Sequence, residues 1–445
     1  MAVARTGVAL LMGACLTLGL ATLPAAGQGP GEQPAPAPVA GRLLSMDEAV
    51  AIALETQPQI QARLNDYAAA RFRVDQAMSP LLPQLSSSVS AIRSQNSNVS
   101  TTSVGTSTVT FTRAFDETLV AQVALSQLLF DFGKNLAATE AAKKLAAVSL
   151  EDVELQRQLI ALAVKEAYTN ILFAQRLIRV SQQAVERAEL NLRSARGFFD
   201  VGTRPRSDVA RAEVDVANAR VDLIRARNAE RLARVALNTA MGIDIDTPTQ
   251  IQDNLVYEPV ALDRAQIRAE MLRQRPEYRQ VKLQVEAAEA VERQAFRSFF
   301  PDVTGSGTYG GVREELAEVW SLTLSLTWTM FDGGGRIARY REAQANVDGA
   351  RSRVRAFELD LLREVEQAQI TIEETQERLQ AAQTAVVSAQ ENFRLAQGRF
   401  DAGVGTILEL TDAQLALTQA QNVEAQALAD YRIALYRLDR ARGRR

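Results

Sequence analysis

The chain has 445 residues, of which 23% are charged, and a formal net charge of −3. It contains no histidine and a single cysteine, Cys15, which excludes His-based catalytic triads, Cys–His pairs and nearly every transition-metal site. The near-neutral net charge does not indicate nucleic-acid binding. No G-x-x-x-x-G-K-[ST] motif, which would bind nucleotide phosphates, is present. The composition therefore predicts neither an enzyme, nor a cofactor, nor a nucleic-acid partner.

Residues 1–27 have the pattern of a secretory signal peptide. Arg5 supplies the positive start, and an apolar stretch extends from Gly7 to Leu23. The small residues of "AAG" then offer a cleavage site. The alternative is an uncleaved N-terminal anchor, but the apolar stretch is short and ends at Pro24. We therefore expect cleavage and export.

Cys15 follows two small residues, "GA", which makes it a candidate for lipidation. The apolar stretch continues well past this cysteine, which argues against a lipoprotein signal. After the signal, residues 28–42 are rich in proline and alanine, which predicts an extended linker.

The rest of the chain is an internal duplication. The letters "FDFG" recur as "FDGG", and "FFDVG" recurs as "RFDAG", both 201 positions later. Pro58 and Pro83 recur as Pro276 and Pro301 at a spacing of 218, so the first copy carries a longer, Ser/Thr-rich loop. Each copy has the order helix, strand, loop, strand, long helix, turn, long helix. The first repeat, the connecting segment and the second repeat are predicted at 43–242, 243–262 and 263–445.

The strand-like segments of the two repeats cover about 85–97, 119–130, 302–312 and 320–331. The last one alternates without interruption, with Leu, Met and Trp on one side and Ser or Thr on the other. Trp320 and Trp328 lie on the apolar side, as in the aromatic girdles of a transmembrane barrel strand. A half-buried strand of a soluble sandwich is the alternative. Four strands cannot close a barrel, so a membrane-spanning sheet requires several copies of the chain.

Long helical hairpins are predicted over 134–241 and 335–442. No proline occurs between Pro83 and Pro205, nor anywhere after Pro301. Apolar residues follow alternating spacings of three and four, with alanine at many of these positions. This pattern predicts two antiparallel coiled-coil arms that pack closely.

The duplicated half, the strand pairs and the repeated F-x-x-G-(x)5-[DE]-[VL] turn resemble the TolC family of outer-membrane efflux and secretion channels. The resemblance extends from "LSMDEAVAIALETQP" to the C-terminus. It implies a mixed α and transmembrane β fold. In that fold a homotrimer forms a 12-stranded barrel in outer-membrane lipid, with four strands per chain, above a periplasmic coiled-coil α-barrel. It also implies a passive exit duct for a tripartite efflux pump or a type I secretion system, with a periplasmic adaptor and an inner-membrane transporter as partners.

By the same resemblance, the two hairpin tips dock the adaptor and form the channel entrance. The matching positions are Phe199, Gly202, Thr203, Asp208 and Val209 in the first repeat and Phe400, Gly403, Gly405 and Leu410 in the second. Helix capping alone is the alternative explanation for the glycines and for Asp208.

The family's acidic constriction matches Glu409 and Asp412, three residues apart and so on one helix face. A solvated first helical turn is the alternative. Phe400 and Gly405 replace the family's tyrosine and arginine that lock the closed state. Arginines of the other tip are candidates to replace that lock, namely Arg204, Arg206 and Arg211.

A second class of protein is compatible with the heptads: an exported periplasmic coiled-coil scaffold without a pore. This class leaves the tryptophan-bounded alternation and the repeated strand pair without a role.

Overall fold

The computed structural model describes residues 41–98, 112–260, 263–312 and 317–444. The predicted signal peptide, Cys15 and most of the predicted linker lie outside the described residues. Within the described segments, no helix carries an apolar stretch sufficient to cross a bilayer.

The helices are α1 (Met46–Thr56), α2 (Pro58–Met78), α3 (Lys134–Asp200), α4 (Arg206–Met241), α5 (Arg264–Gln274), α6 (Pro276–Arg297), α7 (Gly335–Asp401) and α8 (Ile407–Ala441). The strands are β1 (Leu43–Leu44), β2 (Gln84–Asn98), β3 (Thr112–Phe130), β4 (Gln250–Ile251), β5 (Asp302–Val312) and β6 (Ala317–Thr327). From α1 to α4 and from α5 to α8, two helices, two strands and two long helices follow each other in the same order, apart from a 3-10 turn in the first series.

The single helix predicted at the start of each repeat is in fact a pair of helices. Gln57 and Arg275 have extended ψ angles of 117° and 118°, because the ring of a following proline disfavours the helical conformation. Pro58 and Pro276 then begin α2 and α6, the helix position at which proline loses no hydrogen bond.

Two long helical hairpins, α3 with α4 and α7 with α8, contain more than half of the described residues. α3 and α7 each have 67 residues. Small side chains fill the seams, which allows the antiparallel helices to approach closely. The buried seam residues of the first hairpin include Ala184, Ala188, Ala195, Ala212, Val216 and Ala226.

The helices form one layer with two uncovered edges. Next to the hairpin turns the order of neighbours is α4–α3–α8–α7, and next to the sheet it is α2–α3–α6–α7. α2 is therefore stacked end to end with α4, and α6 with α8; we call these two stacks columns. α3 and α7 extend along the layer from the sheet to the hairpin turns. In the described part of the chain, α7 and the α2–α4 column are the two ends of both orders, although α7 also meets α5, and α4 also meets α1 and α8.

Close backbone contacts join the stacked helices of each column. Gly242, at φ 73°, ends α4 so near to Gln57 that a Cβ would lie 2.9 Å from the Gln57 Cα. Gly443 meets the end of α5 in the same way.

A network of charges around one buried arginine joins the helices of the second column, α6 and α8, to α7. Arg275, 2% exposed, bonds Glu277 and Glu364 at 3.1 and 2.9 Å. Arg440 pairs with the same two carboxylates. The network therefore ties α6 to α7 and α8.

The predicted connecting segment carries β4, which pairs in parallel with β1. The buried Tyr168 hydroxyl lies 3.0 Å from the Leu44 carbonyl oxygen and 2.9 Å from that of Gln252. Burial raises the pKa of Tyr168 to about 12, because the charged phenolate is poorly solvated there. The neutral hydroxyl therefore keeps its one proton, which is shared between the carbonyls of Leu44 in β1 and of Gln252, the residue after β4.

Four strands form an antiparallel sheet in the order β2-β3-β5-β6. β2 and β6 are its edges, so each has an unpaired side within the described chain. β3 begins at Thr112, earlier than the predicted 119. β6 ends at Thr327, before the predicted 331. Trp328 instead turns towards the helices, where its indole N–H donates to the Phe299 carbonyl oxygen at 3.1 Å.

At Gly310, β5 leaves no room for a side chain against β3. A Cβ there would overlap the Ala121 carbonyl oxygen and lie 2.8 Å from the Gln122 Cα. We expect Gly310→Ala to separate these strands and to leave most of the protein out of the membrane fraction. Gly307→Ala, where the nearest atom is 3.8 Å away, is the matched control and should insert normally. Equal membrane yields for the two variants would contradict this prediction.

Candidate functional site

The sheet exposes a continuous apolar face. Trp320, Leu322, Leu324 and Leu326 share one side of β6 and are 66–81% exposed. On the opposite side Ser321 shares a 2.7 Å hydroxyl hydrogen bond with Thr308 of β5. A soluble sandwich buries one face of each sheet, whereas this apolar face has nothing packed on it within the described residues. Together with the two unpaired edges, this geometry suits a surface that faces lipid.

Aromatic side chains gather where the sheet meets the helices. Phe132 stacks on Phe300 with ring centroids 5.0 Å apart, and Tyr340 lies 5.8 Å from Phe296. Trp328 joins this end of the sheet.

The other tryptophan lies at the opposite end of the sheet, where Trp320 is in register with Tyr309. The two tryptophans are therefore separated along the strand direction, as the sequence predicted. The phenylalanines near Trp328 were not predicted, although "FRSFF" at residues 296–300 carries the signal.

The turns from strand into long helix use the repeated "FDFG" and "FDGG" motifs. Asp131 accepts the Gly133 and Asn135 amides at 2.9 and 2.7 Å. Asp332 accepts the amide at the start of α7 at 2.9 Å. Gly133 and Gly334 have φ angles of 81° and 89°, which favour glycine. These motifs fix the angle between the sheet and α3 and α7.

At the far end, both hairpins turn through a left-handed glycine. Gly202 and Gly403 have φ angles of 72° and 77°, and each amide donates to the carbonyl of the phenylalanine three residues earlier, at 2.9 and 3.0 Å. This is the helix-ending role named as the alternative. Both glycines are also exposed at the tips, so capping leaves them accessible to a partner.

The second tip is the more tightly built. Gly405 is buried, and a Cβ there would lie 2.9 Å from the Phe400 nitrogen. Thr406 then caps α8 by a reciprocal pair of bonds with Glu409, whose amide donates to the threonine hydroxyl at 3.2 Å. Phe400 is 0% exposed and packs with Leu410. Because residue 400 is a phenylalanine, the hydroxyl of the family's tyrosine is missing. The family's arginine would not fit at position 405, where even a Cβ meets the backbone.

Arg204 joins the two tips within one chain. Its guanidinium donates to the Gly405 carbonyl oxygen and lies 4.5 Å from the centroid of the Phe400 ring. It also approaches Asp208 at 3.6 Å and stands 5.8 Å from the Phe198 ring. Of the three arginines named from the sequence, Arg204 is the one that makes this contact, whereas the other two are exposed.

The predicted tip residues divide into two groups. Those that are buried and shape the turn are Phe400, Gly405 and Leu410. The predicted docking residues with exposed side chains or backbone are Phe199, Gly202, Thr203 and Gly403, while Asp208 and Val209 are half-buried.

The two predicted constriction acids are both exposed on the first turns of α8. Glu409 lies 3.6 Å from Arg399, a weak pair at this exposure. Asp412 forms no ion pair with any described residue. These two carboxylates are therefore available to an aqueous space at the tip.

An unclosed sheet with an apolar face, joined end to end with a layer of long helices, is the fold of outer-membrane channel proteins. The Campylobacter jejuni CmeC outer membrane channel has this fold, with a TM-score of 0.74 and 18% identity over 89% of this chain and 85% of that one. Among curated relatives, the Pseudomonas aeruginosa alkaline protease secretion protein AprF is 26% identical over 87% of this chain and 82% of its own. Escherichia coli outer membrane protein TolC is 25% identical over 85% and 78%.

Residues 49–243 and 267–444 match the profile of the outer membrane efflux protein family. The chain belongs to this family, which confirms the resemblance drawn from the repeat and the strand pairs. It is an outer-membrane protein with a large periplasmic helical part, and its family consists of channels and not of enzymes.

Proposed function

We propose that three copies of this chain form an outer-membrane channel that serves as the passive exit duct of a tripartite efflux pump or a type I secretion system. Four strands from each copy make a 12-stranded barrel, and the helical layers close into a periplasmic tunnel below it. A periplasmic adaptor docks at the hairpin tips, and an inner-membrane transporter supplies energy and cargo.

The observation that carries this proposal is the incomplete sheet. Its edges, β2 and β6, have unpaired backbone groups, and in lipid each such group costs several kcal/mol. Pairing β6 of one copy with β2 of the next satisfies both edges and continues the antiparallel order. The exposed apolar face then meets lipid, while the Ser/Thr side lines water.

The helical layer supports the same closure. Its two uncovered edges, α7 and the α2–α4 column, lie on the same sides as β6 and β2, because β6 leads into α7 and α2 leads into β2. A ring of copies therefore closes the sheet and the layer together. The names of the relatives AprF, "alkaline protease secretion protein", and OpmQ, "pyoverdine export outer membrane protein", support a role in export.

Purified protein in liposomes tests the proposal. We expect a particle of three chains by light scattering, ion conductance across the liposome membrane, and retention in membranes after carbonate washing. A monomer that carbonate extracts, with no conductance at any pH, salt or voltage, would overturn the proposal in favour of a scaffold without a pore.

The acids of α8 predict the ion selectivity of the entrance. In a trimer, Glu409 and Asp412 place six carboxylates around the mouth, which favours cations. We expect Glu409→Gln with Asp412→Asn to lower the cation-to-anion permeability ratio by about threefold or more, measured as a reversal potential in a KCl gradient. Glutamine retains the cap on Thr406.

Asp200→Asn is the matched control, because Asp200 is an exposed carboxylate of the other tip. Its effect on the permeability ratio should be smaller. If the control changes the ratio as much as the double variant does, the constriction is not formed by Glu409 and Asp412.

A further inference from the structure

One ion pair inside the chain has equivalent residues in the other repeat, and these two residues lie on opposite edges of the helical layer, unpaired within the described chain. Within one copy, Arg293 of α6 pairs with Glu140 of α3 at 2.9 Å. At spacings of 218 and 201, Arg293 corresponds to Asp75 on α2, and Glu140 corresponds to Arg341 on α7. The charges are exchanged between the helices, so the complementarity is kept.

Asp75 and Arg341 are both exposed, and neither forms an ion pair with a described residue of its own copy. They lie on opposite edges of the layer, because α2 is the first helix at the sheet end and α7 is the last. The two side chains are therefore too far apart to meet within one copy.

We infer that Arg341 of one copy pairs with Asp75 of a neighbouring copy, and that this contact sets how α7 docks on α2 between copies. The inference rests on the proposed trimer and deepens it. The contact of α6 with α3 inside the chain is then repeated by the contact of α2 with α7 between chains. The exchanged charges favour this pairing of edges, since α2 against α2 would oppose two carboxylates and α7 against α7 two guanidinium groups.

The side chains around the ion pair fit the same contact. On α6, Ala287 and Ala290 are buried against the layer. Their counterparts on α2 are Ala69 and Phe72, both exposed, with Phe72 67% exposed. α7 has small residues at the positions equivalent to α3 residues that contact α6. Ala345 matches Lys144, which pairs with Glu286, while Gly349 and Ser352 match Val148 and Glu151, which contact Gln280 and Arg279 further along the helices. Ala345 is the one at the level of Ala69 and Phe72, so the large phenylalanine buries apolar surface against a small side chain.

The hairpin end offers a second contact of the same kind. Asn191 of α3 donates to Gln414 of α8 at 2.6 Å. The corresponding positions are Asn392 on α7 and Glu213 on α4, an amide donor facing a carboxylate acceptor. Glu213 also pairs with Arg196 of its own copy at 2.6 Å, through one of its two carboxylate oxygens. The same docking therefore gives hydrogen-bonding partners at both ends of the helical layer.

Thiol crosslinking in intact outer membranes tests the inference. The chain with Asp75→Cys and Arg341→Cys, treated with a short bis-maleimide, should give dimers and trimers on denaturing gels. The chain with Glu140→Cys and Arg293→Cys should react within one copy and run as a monomer. Asp66→Cys with Arg341→Cys is the matched control on another face of α2, and should give no oligomer. The parent chain, treated in parallel, measures any contribution of Cys15.

Charge reversal gives a second readout. Arg341→Glu and Asp75→Arg should each lower the temperature at which the trimer dissociates on gels, and the double reversal should restore it. Two outcomes overturn the inference and leave the proposed channel standing: a conducting trimer that crosslinks in the Asp66→Cys control instead, or a double reversal that dissociates more readily than either single one. A monomer that does not conduct overturns both.

Discussion

Leu324→Arg should remove the protein from the outer membrane. Leu324 lies midway between Trp320 and Trp328 on the apolar face of β6 and is 73% exposed. An arginine at the bilayer midplane costs about 2–4 kcal/mol in a barrel strand, and the proposed trimer would carry this cost three times. We expect membrane-inserted trimer to fall by at least about tenfold, measured by carbonate-resistant membrane yield and by gel mobility without heating.

Ser325→Arg is the matched control, one residue further along the same strand. Its side chain points to the opposite side of the sheet, which we propose lines water. This variant should insert normally, and its three added positive charges should shift ion selectivity towards anions. Equal loss of both variants from the membrane would show that the two sides of β6 do not differ in environment, and the proposed barrel would fail.

The sequence predicted those features of the fold that depend on local periodicity. The period of two in "WSLTLSLTW" identified β6 and its two faces, and the spacings of three and four identified both hairpins. The predicted end of β6 was wrong, because an exposed indole fits the period of two whether or not the backbone continues as a strand. At Trp328 the Phe299 carbonyl accepts the indole N–H, and no local pattern encodes that distant partner.

Contacts between segments far apart in sequence were the part that periodicity did not reveal. The buried Arg275 bonds two glutamates and a backbone carbonyl, yet in the sequence it is one of many arginines. The hairpin tips were predicted only in part. The turn motif gave Gly202 and Gly403, but the contact of Arg204 with Gly405 joins two hairpins and needed the structure. The repeat spacing, applied to the pair of Arg293 with Glu140, predicts a contact between copies.

Arg204→Ala should weaken the closed state of the entrance. The guanidinium holds the second tip through the Gly405 carbonyl and the Phe400 ring, and its side chain is only 13% exposed. A hydrogen bond from a charged donor contributes about 1.5–3 kcal/mol, and a partly desolvated cation–π contact about 0.5–2 kcal/mol. If opening separates the tips, the loss of both contacts should raise the open-to-closed ratio by about tenfold or more, seen as higher single-channel conductance or open probability.

Two variants isolate the role of Arg204. Arg204→Lys keeps the charge but loses the planar group that reaches the carbonyl and stacks on the ring, so its open probability should lie between those of wild type and Arg204→Ala. Arg206→Ala removes an exposed arginine of the same tip and should leave gating unchanged. A trimeric Arg204→Ala channel with the open probability of the wild type would show that the tips separate elsewhere, and that the contact only shapes the turn.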